Sequence, residues 1–154
     1  MQTLQYGSGQ NQVMPTAFIT AGVVPRVGLT DVRHAMRVSW QVRATNGAGT
    51  FAGGSGGVTG SWAVLASNNY VHAADAASGG VWSDGTFVDV TSLCTSTVAG
   101  VTTPGSIPAA TGVAQDFMVT MDNCDFRQIE IRFTPTGGQG PAQRVQAFVT
   151  TKSA

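Results

Sequence analysis

Hydrophobic and polar positions alternate in several separate stretches of this chain, and the clearest case spans Asp116 to Pro135. Phe117, Val119 and Met121 alternate with Met118 and Thr120; Arg127, Ile129, Ile131 and Phe133 alternate with Gln128, Glu130, Arg132 and Thr134. A period of two with branched apolar residues on one face marks a half-buried β-strand. A helix would need apolar residues three and four apart, and Gln128, Glu130 and Arg132 would then fall inside its apolar stripe. Asp122-Asn123 supplies turn chemistry between the two runs. The pattern therefore predicts a core hairpin. A second long strand is expected from Arg33 to Thr45, with Met36, Val38, Trp40, Val42 and Ala44 on the inner face and Arg37, Ser39, Gln41 and Arg43 outside. A strand with a central tryptophan on one face needs a second layer to cover it.

Weaker signals fill in the rest. Residues 1–12 are polar and glycine-rich, the composition of an arm, and 13–154 are expected to form one β-sandwich domain. Residues 13–24 hold a first strand, whose Pro15 places its start at an edge or outside the ladder. Residues 46–60 form a glycine-rich connection expected to close a hairpin. Its Gly-Gly-Ser-Gly-Gly is not a phosphate loop, because no Lys-Ser or Lys-Thr follows and the next element, Ser61 to Asn68, reads as a strand. The alanines of His72–Ala77 allow a short helical turn. Asp84-Gly85 introduces a strand closing near Thr91. Residues 92–114 hold one weak strand near Thr97–Thr102, with Pro104 and Pro108 breaking regular structure. Arg144 to Thr151 is the last strand, and its Thr, Val and Gln with little Lys or Pro make it a candidate open edge. Seven or eight strands with glycine-rich turns predict an all-β fold, a two-sheet antiparallel β-sandwich. The two long mid-chain connections favour a jelly-roll or Greek-key path.

Composition changes this picture in one respect. Of 154 residues only 10% are charged, eight basic against eight acidic. The usual share is about a quarter. A neutral chain with no basic run has no electrostatic footprint for nucleic acid or an anionic membrane. Low charge is a solubility liability for a free monomer, and burial against neighbours relieves it. A homo-oligomer is the expected state. The N-terminus lacks the basic start and apolar core of an export signal, which points to synthesis and folding in a cytoplasm.

The search for chemistry gives little. His34 and His72 belong to no catalytic motif, and no G-x-S-x-G elbow is present. Asp75, Asp84 and Asp89 do not follow a calcium-loop spacing. Asp122 and Asp125 bracket the predicted turn, where bonds to their own backbone suffice. Cys94 and Cys124 lack metal-ligand spacing; they read as small buried hydrophobes, with a single disulfide left open. The residues thus argue against an enzyme, and no catalytic, cofactor or metal site is assigned. Among the aromatics, Trp40 is expected in the core. Trp62 is expected to close one end of the sandwich. Tyr70, Trp82 and Asp84 form the candidate platform for a surface glycan, because exposed rings stack on sugars.

Four blocks carry a resemblance. Ser39-Trp40-Gln41-Val42, Ala66-Ser67-Asn68, Asp84-Gly85-Thr86-Phe87-Val88-Asp89-Val90, and the run from Arg127 to Gly140 are similar to blocks in small β-sandwich virion proteins of bacteriophages. The resemblance spans roughly residues 33–152 and is most specific in the last block. In that group the Asn-ending strand is followed almost at once by Asp-Gly-x-x-Trp; here residues 69–83 intervene and Trp82 precedes Asp84-Gly85. The resemblance implies a minor capsid, decoration or spike-associated protein, located in the virion and partnered by copies of itself and other virion proteins. It brings no catalytic residues. The alternative is a carbohydrate-binding domain of a virion fibre or receptor-binding protein.

Overall fold

A computed structural model describes residues 12–18, 30–31, 35–45, 57–68, 87–136 and 144–153. The strands are β1 (Gln12–Phe18), β2 (Thr30–Asp31), β3 (Ala35–Ala44), β4 (Thr59–Ser67), β5 (Val88–Asp89), β6 (Thr95–Val98), β7 (Val101–Pro104), β8 (Ala110–Thr111), β9 (Gln115–Asp122), β10 (Gln128–Pro135) and β11 (Arg144–Ser153), with one 3-10 turn at Thr91–Leu93. They form two antiparallel sheets. The first runs β1-β11-β3-β9-β6-β7; the second runs β2-β10-β4-β5, with β8 also pairing β4.

The core is where the inner faces meet. Val38, Trp40, Val42 and Ala44 of β3, Phe117, Val119 and Met121 of β9, and Val145, Ala147 and Val149 of β11 are buried from one side. Trp62, Val64 and Ala66 of β4 and Ile129, Ile131 and Phe133 of β10 meet them from the other. The Trp62 and Phe133 rings, directly opposite in register, lie 4.8 Å apart at 56°. Gly60 is required by this close approach: a Cβ there would stand 2.4 Å from the Thr134 carbonyl oxygen and 2.5 Å from the Phe133 ring. Pro15 falls in the stretch of β1 where the register against β11 slips, and β1 is an edge strand.

The predicted inner face holds except at Met36, which is 53% exposed. The β3–β9 ladder ends at the Arg37–Asp122 pair, so Met36 lies beyond the last paired position. Three further expectations are corrected. The runs around Asp122-Asn123 do not make a hairpin: β9 belongs to the first sheet and β10 to the second. The link crosses the sandwich, with Asn123 in the left-handed region at φ 54. Likewise, the glycine-rich stretch after Thr45 joins β3 to β4 in opposite sheets rather than closing a hairpin. The last strand is not an edge, since β11 lies between β1 and β3.

The polar face of β10 is not uniformly solvated. Gln128 and Glu130 are buried, as are their register partners Ser67 and Leu65 on the same side of β4. This end of the second sheet is thus covered on both faces, and the Glu130 carboxylate is met there by the Arg132 guanidinium. The weak strand expected near Thr97–Thr102 is a complete hairpin, β6–β7. Pro104 does not break it but ends it, paired with Thr95.

Candidate functional site

Most of the residues proposed from sequence for chemistry fall outside the described ones. Tyr70, Trp82, Asp84, His34, His72 and Asp75 lie outside the described residues, as do the helical turn at 72–77, residues 1–11 of the arm and residues 46–56 of the glycine-rich loop. Trp40 and Trp62 are both core. Asp89 accepts the backbone N–H of Thr91 at 2.8 Å, which starts the 3-10 turn; the Thr91 side chain and amide hold its carboxyl below the ordinary value. Among the described residues, no group of three or more His, Cys, Asp or Glu is placed to share a metal ion.

Cys94 and Cys124 are buried and unbonded. Their thiols donate to the carbonyls of Val90 and Met121. Burial pushes Cys94 up to about 12 and Cys124 up to about 11, so both are thiols, not nucleophiles, near neutral pH.

An open depression of about 560 Å³ is lined by Asn68, Cys124, Asp125, Phe126 and Arg127. It forms where the β9–β10 crossover passes the end of β4. There the Asn68 side-chain carbonyl accepts the Arg127 backbone N–H at 2.8 Å, and Asp125 N–H donates to Asn123 O at 3.0 Å. These bonds satisfy backbone groups that leave the ladder. The depression reads as a clamp on the crossover.

The outer face of the first sheet is a set of cross-strand polar pairs. Arg37 bonds Asp122 at 2.5 Å, Ser39 faces Thr120 at 3.3 Å, and Gln41 and Arg43 both reach Asp116, at 2.8 and 3.0 Å. Thr97 and Thr102 continue the pattern onto β6 and β7 at 3.2 Å. Such pairs contribute modestly, about 0.2–1 kcal/mol each, and leave a self-satisfied surface.

No family model, curated protein or solved structure matches the chain. Among the described residues, the β6–β7 hairpin leaves apolar side chains in solvent at the end of the first sheet. Its two-residue turn, Ala99-Gly100, has φ of 48° and 83°, the positive values that a tight hairpin of matching twist requires. Val98 and Val101 share the face that elsewhere in this sheet forms the core, because their neighbours Ser96 and Thr103 are in register with buried Val119. Yet Val98 is 38% and Val101 68% exposed, so the second sheet does not cover the tip of the hairpin. All four residues of β7 are exposed. No charged residue occurs between Asp89 and Asp116. Sequence reasoning missed this element, although a small-Gly pair flanked symmetrically by Val and Thr was a usable hairpin signal.

Proposed function

We propose that this chain is a bacteriophage virion structural protein, of the minor capsid, decoration or spike-associated kind, acting by homo-oligomeric assembly. The strand order is the structural support for the reading. Setting aside β6, β7 and β8, the remaining strands pair first with last: β1 with β11, β2 with β10, β3 with β9, and β4 with β5. The ladders β11–β3 and β10–β4 then join these pairs into two sheets. One long antiparallel hairpin rolled on itself gives this order, and we read the path as a jelly roll.

Jelly rolls serve viral capsids, lectins and cupins, so the fold alone does not choose among them. The motif resemblance of Ser39–Val42, Ala66–Asn68, Asp84–Val90 and the run from Arg127 to Gly140 to phage β-sandwich virion proteins favours the first. The low charge and the bare, neutral hairpin favour a surface meant to be covered. The protein works in this reading by burying neutral surface between copies in the particle, with no bond made or broken.

Light scattering across a concentration series, with negative-stain imaging, tests the proposal. The expected result is a closed oligomer or lattice fragment whose mass is a multiple of the chain mass. Mass spectrometry of purified particles should find the chain at a fixed copy number. A chain that stays monomeric at high micromolar concentration, and is also a single copy in its native complex, would overturn it.

A further inference from the structure

The free edge of β7 has a specific hydrogen-bonding pattern. The Gly105 N–H donates to the Cys94 carbonyl at 2.8 Å. Counting along the antiparallel ladder, the pairs Ser96–Thr103 and Val98–Val101 direct their amides at one another, whereas Thr97–Thr102 and Thr95–Pro104 direct theirs outward. On β6 the outward groups meet β9, which pairs at Thr95 and Thr97. On β7 they meet nothing among the described residues, since β7 ends the sheet. The edge therefore presents the N–H and C=O of Thr102. Pro104, which has no N–H, presents only its C=O.

We propose that β7 pairs with β7 of a second copy, antiparallel about a two-fold axis at Thr102, joining two first sheets into one continuous sheet. This rests on the assembly reading above and names its contact. Three observations select a second copy as the occupant. A two-fold contact sets each residue near the axis against itself, and the run between Asp89 and Asp116 has no charged residue that would there meet its own like charge. Thr102 carries the donor and the acceptor that its own copy needs, so each supplies what the other lacks. Val101, exposed on the inner face at the edge, gains Thr103 of the second copy as its cross-strand neighbour when the two strands pair about Thr102. Pro104 then limits the contact to a short register and blocks extension of the pairing along the strand.

The test is sedimentation of the intact chain and of two variants. Thr102→Pro removes the outward N–H at the same class of position that already accepts Pro104, so the β6–β7 ladder keeps its bonds. It should raise the dissociation constant about tenfold or more, as loss of the paired edge bonds requires, with the circular dichroism unchanged. Thr102→Cys is the second probe. Residues paired across such a ladder have Cα atoms about 5.5 Å apart, within disulfide range, so mild oxidation should give a covalent dimer. Thr97→Cys, one strand inward on the same face, should give none. If the intact chain associates but Thr102→Pro associates equally and Thr102→Cys does not cross-link, the β7 contact is wrong and assembly by another surface stands. If the intact chain is monomeric and Thr102→Cys fails to cross-link, the contact and the assembly reading fall together.

Discussion

Val119 and Val101 occupy the same face of the same sheet, yet the first is fully buried and the second 68% exposed. The difference lies in what faces them. Val119 sits opposite the second sheet, where Ile129, Ile131 and Phe133 are completely buried. Val101 lies on a hairpin whose tip that sheet leaves uncovered. Alternation along a strand therefore reports that the strand has two unlike faces; it does not report that a second layer covers the apolar one. An apolar face with no cover among the described residues is the surface that the proposed assembly would bury.

The contrast predicts very different responses to mutation. In the two-layer region, Ile131→Ala should lower unfolding free energy by about 2–5 kcal/mol through lost transfer energy and a cavity, read from denaturant melts. Gly60→Ala comes next: its methyl group meets the Thr134 backbone and the Phe133 ring, and overpacking of this kind costs about 1–3 kcal/mol. An unchanged midpoint for Ile131→Ala would mean that the two sheets do not pack face to face there, and for Gly60→Ala that β4 and β10 do not approach closely at that position. On the hairpin, Ala99 adopts a left-handed φ that asparagine tolerates better, so Ala99→Asn should stabilise by about 1 kcal/mol or less. Val101→Ala, measured at low protein concentration, should stay within about 0.5 kcal/mol of the parent; a loss as large as that of Ile131→Ala would show that the hairpin is covered after all.

The smallest effect is expected on the polar outer face. The hydrogen bond from Arg37 holds the Asp122 carboxyl below its ordinary value. A carboxyl depressed in the folded state adds stability that is complete above the unfolded value of about 3.9 and fades as pH falls through the lower folded one. Both side chains are exposed, so solvent screens the pair. An NMR titration of Asp122 should show a midpoint below the reference and a return to it in Arg37→Gln.

The same contrast explains what the sequence made legible. The strands β3, β9 and β10 announce themselves by period two, and their inner residues follow, Met36 excepted; β4 and β11 are legible as strands but not as faces. The pairing of strands did not follow. Nearness in sequence suggested a β9–β10 hairpin, whereas Phe117 and Ile129 belong to opposite layers. A period fixes the face of a residue but carries no information about the neighbouring strand. The burial of Gln128 and Glu130 was also hidden, because it depends on cover over the outer face and on Arg132 two residues along. The candidate contact at Thr102 was illegible for a related reason: its open N–H and C=O follow from the parity of a ladder, which side chains do not encode.

The position of β11 between β1 and β3 has a consequence for how the chain is made. The first sheet lacks its second member until Arg144–Ser153 has been synthesised, and β3 until then can pair on one side only. The second sheet waits in the same way for β10, which holds β2 and β4 together. Of the described strands, only β6 and β7 are joined by a tight turn; the other ladders close over long stretches of chain, and such contacts form slowly. The nascent chain thus leaves the ribosome with its valine-rich strands unpaired, and the small β6–β7 hairpin is the piece able to form early.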